Sequence, residues 1–158
     1  MKKFLLLVVV LLMLLTQDIS YAEQLGVKTG RNNLVDKSNS IYGAELILDY
    51  EKVECLNFRL DFDQFFADTK MFAVSPSIML KTKGQFLDSY MGIGAVLAVE
   101  DKGHGIGNTL FIGVEPKINE SVSVFTEVKF NFLKTDKADW DSVSMILGVR
   151  FNIGGEDD

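Results

Sequence analysis

The sequence predicts an all-β protein: an eight-stranded antiparallel up-and-down transmembrane β-barrel, preceded by a cleaved signal peptide. Three observations predict it. The chain opens with an export signal, apolar residues then recur at every second position through eight successive segments, and several of those segments are long enough to cross a bilayer.

The export signal comes first in the chain. Lys2 and Lys3 form a positive n-region, residues 4–15 are an unbroken apolar run, and Ser20-Tyr21-Ala22 places small residues three and one positions before a cut at Glu23. The apolar run has 12 residues, short of the ~20 that a helix needs to cross the hydrocarbon core. The reading therefore divides the chain into a signal peptide over residues 1–22 and one barrel domain over residues 23–158.

After Glu23 the alternation marks strands with two unlike faces. Residues 25–30 form a short first strand. In the second, Tyr42, Ala44, Leu46, Leu48 and Tyr50 oppose Gly43, Glu45, Asp49 and Glu51. The third is the clearest, with Leu56, Phe58, Leu60 and Phe62 against Asn57, Arg59, Asp61 and Asp63. Phe72, Val74, Ile78 and Leu80 then oppose Ser75, Ser77 and Lys81. Residues 89–99 are apolar on both faces; Met91, Ile93, Ala95, Leu97 and Val99 fall on one, Gly92 and Gly94 on the other. Leu110, Ile112, Val114 and Ile118 oppose Thr109, Glu115 and Lys117. Val122, Val124, Val128, Phe130 and Phe132 oppose Ser123, Glu127, Lys129 and Asn131. The last strand sets Val143, Met145, Leu147, Val149, Phe151 and Ile153 against Ser144, Arg150 and Asn152. Turn and loop signals separate them at residues 30–33, 51–54, 67–70, 83–85, 101–108, 119–120 and 134–141. Pro76 and Pro116 lie inside strand windows, and each implies a bulge or local break because proline removes a ladder donor.

Alternation does not say which face is outside. A soluble barrel binding an apolar ligand would turn the aromatic rows inward, and a membrane barrel would turn them outward. Length and volume favour the membrane. Residues 41–51 and 122–133 reach or exceed the ~9–11 residues of a tilted spanning strand. An eight-stranded barrel has an interior just wide enough to be filled by side chains. Phe58, Phe62, Phe72, Phe130, Phe132 and Phe151 would crowd it, whereas the opposing set is smaller.

Composition removes several function classes. Without residues 1–22, which hold Lys2, Lys3 and Asp18, the balance moves from 16 basic and 22 acidic residues to 14 and 21. Such a chain repels phosphate backbones, so nucleic acid is not a partner. Cys55 is the only cysteine and His104 the only histidine, which excludes a disulfide framework and argues against a zinc site; no cofactor is implied. Cys55 reads as a buried or turn thiol.

Several motifs carry a resemblance. Ser89-Tyr90-Met91-Gly92-Ile93-Gly94-Ala95 resembles a strand opening of the small outer-membrane β-barrel family, the outer-membrane protein A-like and opacity-type porins. Residues 113–130 are similar to a hairpin of that family, and Gly148, Phe151 and Ile153 resemble its C-terminal assembly signal. The chain departs from the family in continuing through residues 154–158 and in carrying Ile146 two positions before Gly148. The resemblance implies residence in the bacterial outer membrane, with termini toward the periplasm. Loops near residues 30–40, 66–71, 100–108 and 134–141 then face outward. The implied partners are the lipid bilayer and lipopolysaccharide, with the barrel-assembly machinery during biogenesis.

Charge concentrates on the inward face, at Glu45, Asp49, Arg59, Asp61, Lys81, Glu115, Lys117, Glu127, Lys129 and Arg150. Either these residues line a selective pore or they pair into a plug, and the filled interior of small barrels favours the plug. The expected pairs are Glu45 with Arg59, and Glu127 or Lys129 with Arg150. Gly103-His104-Gly105-Ile106-Gly107 lacks the lysine and hydroxyl of a phosphate loop and reads as a mobile external loop. Some barrels of this size modify lipid A with a histidine and a serine two residues on; here Ile106 stands in the serine's place. Trp140, Tyr42, Tyr50 and Tyr90 read as interface anchors. The function expected is a non-enzymatic envelope protein supporting integrity, surface contact or weak solute leakage. A lipid-modifying enzyme on the same scaffold and a soluble ligand-binding barrel are the alternatives.

Overall fold

The computed structural model describes residues 19–34, 37–50, 53–66, 70–100, 103–135 and 139–153. They form eight strands: β1 (Ile19–Leu34), β2 (Lys37–Tyr50), β3 (Leu56–Phe66), β4 (Lys70–Thr82), β5 (Leu87–Glu100), β6 (Gly103–Pro116), β7 (Val122–Thr135) and β8 (Asp139–Asn152). Each strand pairs antiparallel with the next, and β8 pairs with β1, so the sheet closes as an up-and-down barrel with no free edge.

The register fixes the geometry of that closure. Ladder partners traced from Gln24 run through Ile47, Arg59, Ser77, Gly94, Thr109, Asn131 and Ser142 and return to β1 at Leu34, a stagger of ten residues. A stagger of that size on eight strands corresponds to a tilt of roughly 40°. One end of the barrel carries the chain's entry and exit with the β2–β3, β4–β5 and β6–β7 connections. The other, the far end, carries the remaining three pairs of strand ends and the β1–β2 junction, where Leu34 pairs with Lys37.

The two faces divide as the alternation requires. Ile93, Ile112, Leu147 and Met145 are 62, 56, 56 and 68 % exposed, while Glu45, Arg59, Asp61 and Arg150 are buried inside. Apolar side chains outside and charges inside suit hydrocarbon and not water. This overturns the soluble alternative, whose apolar lining would have to face inward.

Several sequence expectations are corrected. Residues 30–33 are strand rather than turn, and β1 is among the longest elements, not a short one. It begins at Ile19, before the expected cut at Glu23, and its pairing with β2 is irregular up to Gln24. Residues 1–18 of the expected signal peptide lie outside the described residues. Gly103 to Asn108 belong to β6 and not to an external loop; Val99 pairs with His104, and Gly105 with Thr135. Strand also continues into both sides of the expected loop at residues 134–141.

The prolines behave as local breaks without bulges. Pro76 pairs with Leu60, and the β4–β5 ladder skips it, resuming at Ser77 and Gly94 in the register of Val74 and Leu97. Pro116 closes β6, where a lost donor costs least.

Candidate functional site: the buried charge column of the barrel interior

Because inward positions recur every second residue on eight tilted strands, the polar rows of the sequence converge on one axis. Lys28, Arg59, Lys81, Lys129 and Arg150 are buried there against Glu45, Asp61, Asp63, Asp88, Glu115 and Glu127. Unlike charges so nearly balanced offset each other's desolvation, which no single one could bear.

The column is layered. Nearest the chain termini, Lys81 Nζ lies 3.1 Å from Glu115 Oε2 and 3.5 Å from Asp88, and it donates to Gln24 Oε1 at 3.1 Å. Above it, Arg150 Nε donates to Glu45 Oε1 and its Nη1 to Glu115 Oε2, both at 2.5 Å. Ser123 Oγ donates to the other Glu115 oxygen at 2.5 Å. Arg59 then reaches three carboxylates. Its Nε donates to Asp61 at 2.9 Å, its two Nη groups form a fork on Glu127, and Nη2 stands 3.0 Å from Glu45 Oε2. A guanidinium's planar fork is the group suited to such bidentate pairing. Toward the far end, Asp61 and Asp63 are shared by Lys28, at 2.5 and 2.9 Å, and Lys129, at 3.1 and 2.8 Å.

Aromatic rings cover the faces that the carboxylates leave open. The Phe111 ring centroid lies 4.4 Å from Arg59 Cζ; Tyr90 and Phe125 lie 4.5 and 4.1 Å from Arg150 Cζ. Each ring occupies the space over a glycine directly across the ladder: Phe111 over Gly92, Tyr90 over Gly113, Phe125 over Gly148. A Cβ at Gly92 would stand 2.3 Å from the Phe111 ring. The missing side chain is thus what makes room for the ring beside the guanidinium.

Beyond Asp63 the interior turns apolar. Ile41, Phe65, Met71, Ala73, Val96, Ala98 and Leu133 form a buried collar near the far end. The void it borders, lined also by Asn32, Asn131 and Ser142, measures about 10 Å³, roughly the room of a single water.

Of the ten residues expected in the network, Glu45, Arg59, Asp61, Lys81, Glu115, Glu127, Lys129 and Arg150 are brought together. The other two are corrected. Asp49 sits half-buried at the terminal rim, bonded by Asn57 and 3.4 Å from Lys83. Lys117 is exposed at the same rim, 2.9 Å from Asp88. Burial works against the Lys83 ammonium, but the Glu23 and Asp49 carboxylates outweigh it and hold its pKa above the usual lysine value. The expected Glu45–Arg59 pair forms. Arg150 pairs with Glu45 and Glu115, not with Glu127 or Lys129, because the stagger sets those two residues further along the axis.

Sequence reasoning missed Lys28, Asp88 and Gln24, and left Asp63 out of the network. Parity alone could have found Lys28 and Gln24, once β1 was read at full length. Tyr90 is also corrected: it is a buried core residue, not an interface anchor, and it shares the inward parity of Gly92 and Gly94. Tyr42 is exposed, as an anchor requires; the Trp140 side chain lies outside the described residues. Cys55 is an exposed turn thiol. Phe151 and Ile153 of the expected assembly signal face outward, while Gly148 makes room for Phe125.

Closure, stagger, apolar exterior and charged interior together define an eight-stranded transmembrane barrel. Solved structures share the fold. Neisserial surface protein A superposes with a TM-score of 0.64 at 16 % identity, covering 82 % of this chain and 95 % of that one. The N-terminal β-barrel domain of Pseudomonas aeruginosa OprF gives 0.61 at 13 %, with 84 and 98 % covered. The attachment invasion locus protein Ail of Yersinia pestis gives 0.53 at 13 %, with 83 and 99 % covered. These neighbours are bacterial outer-membrane barrels. No protein-family model and no curated protein sequence matches the chain.

Proposed function

We propose that this protein is a non-enzymatic outer-membrane barrel whose interior is closed to steady ion flow, serving envelope integrity or surface contact and passing solute at most by rare leakage. The observation that supports it is Arg59, held by Asp61, Glu127 and Glu45 at its edges and by Phe111 on its face. A cation so paired offers no free charge to a hydrated ion, and the void that the apolar collar borders near the far end has about 10 Å³. In this reading the termini face the periplasm, and the far end faces outside.

Planar-bilayer recording tests it. The unmodified protein should give little steady conductance, with small and infrequent openings. A large, stable, ohmic conductance would overturn the closed interior and make the protein a porin.

The enzymatic alternative has one histidine to draw on. His104 stands on the outward face of β6, with no serine two positions on. General-base catalysis needs supported groups within hydrogen-bond reach of the reacting atoms, and this setting argues for a non-catalytic role.

A further inference from the structure

The membrane-facing wall carries a polar break toward the far end of β1. Phe72, Val99 and Phe132 keep the outward rows of β4, β5 and β7 apolar close to that end. On β1 the outward row instead runs Leu25, Val27, Thr29, Arg31 and Asn33. Gln64 and Asn108 also face outward at a comparable depth, but they are uncharged. Lys70, Lys134 and Asp141 face outward within three residues of their strands' ends. Arg31 lies deeper, three residues before Leu34, or roughly 8 Å below the strand end along the axis of a barrel tilted as this one is.

Its neighbours make a groove. Arg31 pairs with Ser40 on one side and Met145 on the other; Thr29 pairs with Leu147, which pairs with Thr126. Short hydroxyl side chains set among long ones leave an open depression of about 580 Å³ on the outer wall. Among the described residues no carboxylate pairs with Arg31. A guanidinium on a lipid-facing wall is costly without an anion, though less so near the interface than at mid-depth, where its stem cannot carry the charge to water. At this depth the bilayer supplies lipid headgroups, whose anionic groups are matched to such a guanidinium.

We propose that this groove binds the phosphate of a phosphorylated glycolipid in the leaflet at the far end. The Arg31 fork holds the phosphate, for which its planar donors are matched. Ser40 and Thr29 offer hydroxyl donors beside it, and Met145 and Leu147 lie against the acyl chains. The inference rests on the outer-membrane reading and gives the lipopolysaccharide expected from the sequence a location on the barrel.

Native mass spectrometry of the purified barrel in detergent micelles tests it, using diphosphorylated lipid A, the same lipid dephosphorylated, and inorganic phosphate as competitor. The phosphorylated lipid should bind at least about tenfold more tightly than the dephosphorylated one, as expected for losing a charge-assisted contact. Arg31→Gln should lose that preference, Arg31→Lys should keep part of it, and Lys134→Gln should keep all of it. Inorganic phosphate should not displace the lipid. Heat-dependent gel migration checks that Arg31→Gln is folded, and the dephosphorylated-lipid comparison needs no variant. Equal binding of the two lipids, or an unchanged preference in folded Arg31→Gln, would overturn the site. Full displacement by inorganic phosphate would replace it with a soluble-anion site. A barrel recovered from the outer membrane that shows no preference sinks the groove alone, whereas recovery from the soluble fraction sinks the reading beneath it.

Discussion

Arg59 and Arg150 each meet carboxylates at the guanidinium edge and an aromatic ring on its face, and each ring sits over a glycine. Arg59→Ala would leave Glu127, Asp61 and Glu45 buried with their main counter-charge gone. Breaking a buried pair on one side costs about 3–5 kcal/mol, so the variant should unfold at markedly lower denaturant than the parent in detergent titrations. Arg59→Lys should recover only part of that, because an ammonium supplies neither the fork to Glu127 nor the flat contact with Phe111. Gly92→Ala tests the layer beneath. The new methyl would meet the Phe111 ring at 2.3 Å and the Ile78 carbonyl oxygen at 2.5 Å, and overpacking of this kind costs about 1–3 kcal/mol. A Gly92→Ala barrel as stable as the parent would show that the ring has another place to go.

At the scale of the strand, parity decides the consequence of a charge. Leu60 and Asn57 are three residues apart on β3 and face opposite sides. Leu60→Arg places a cation against mid-depth lipid at a cost of about 2–4 kcal/mol, and should reduce the heat-shiftable, folded fraction recovered from membranes. Asn57→Ser trims a buried polar residue whose amide bonds Asp49 at the rim, and should leave that fraction nearly unchanged. The reverse pattern would put the barrel inside out. β6 carries a second lesson at this scale. Its glycines at 103, 105 and 107 read as loop, yet the segment is strand because both neighbours offer a ladder to it. At Gly107 a Cβ would stand 2.0 Å from the Phe132 carbonyl oxygen, so the glycine marks close strand approach and not a turn.

The whole molecule has no edge to pair and no apolar core larger than its own bore, so its stability depends on the bilayer outside and the charge column inside. A folded barrel of this kind should run compact in cold detergent and shift on heating, and it should sediment with outer membranes. Lipid extracted from cells expressing it should match the vector control by mass spectrometry. A change in acyl number that His104→Ala abolishes would refute the non-enzymatic reading.

Strand number, the identity of the two faces and most of the charged set were legible in the sequence, because period-two alternation is a local property that survives without knowledge of neighbours. Leu56 to Asp63 shows this best, every residue facing as its parity requires. Strand ends were less legible, since glycine and asparagine at residues 30–33 and 103–108 carry the same local preference in a turn as in a ladder whose partners hold them. The pairing of charges was least legible. Parity places Glu127 and Arg150 on one surface, but which carboxylate each arginine reaches depends on the ten-residue stagger and on the closing of β8 onto β1. Only that closure brings Glu45 between Arg59 and Arg150, turns Tyr90 from an anchor into a wall of the core, and sets Arg31 beside Met145 on the outer surface. Sequence by itself determined which residues would face inward; the tertiary structure decided which of them meet, because contact across a barrel is set by register and tilt, and neither is encoded in any one strand.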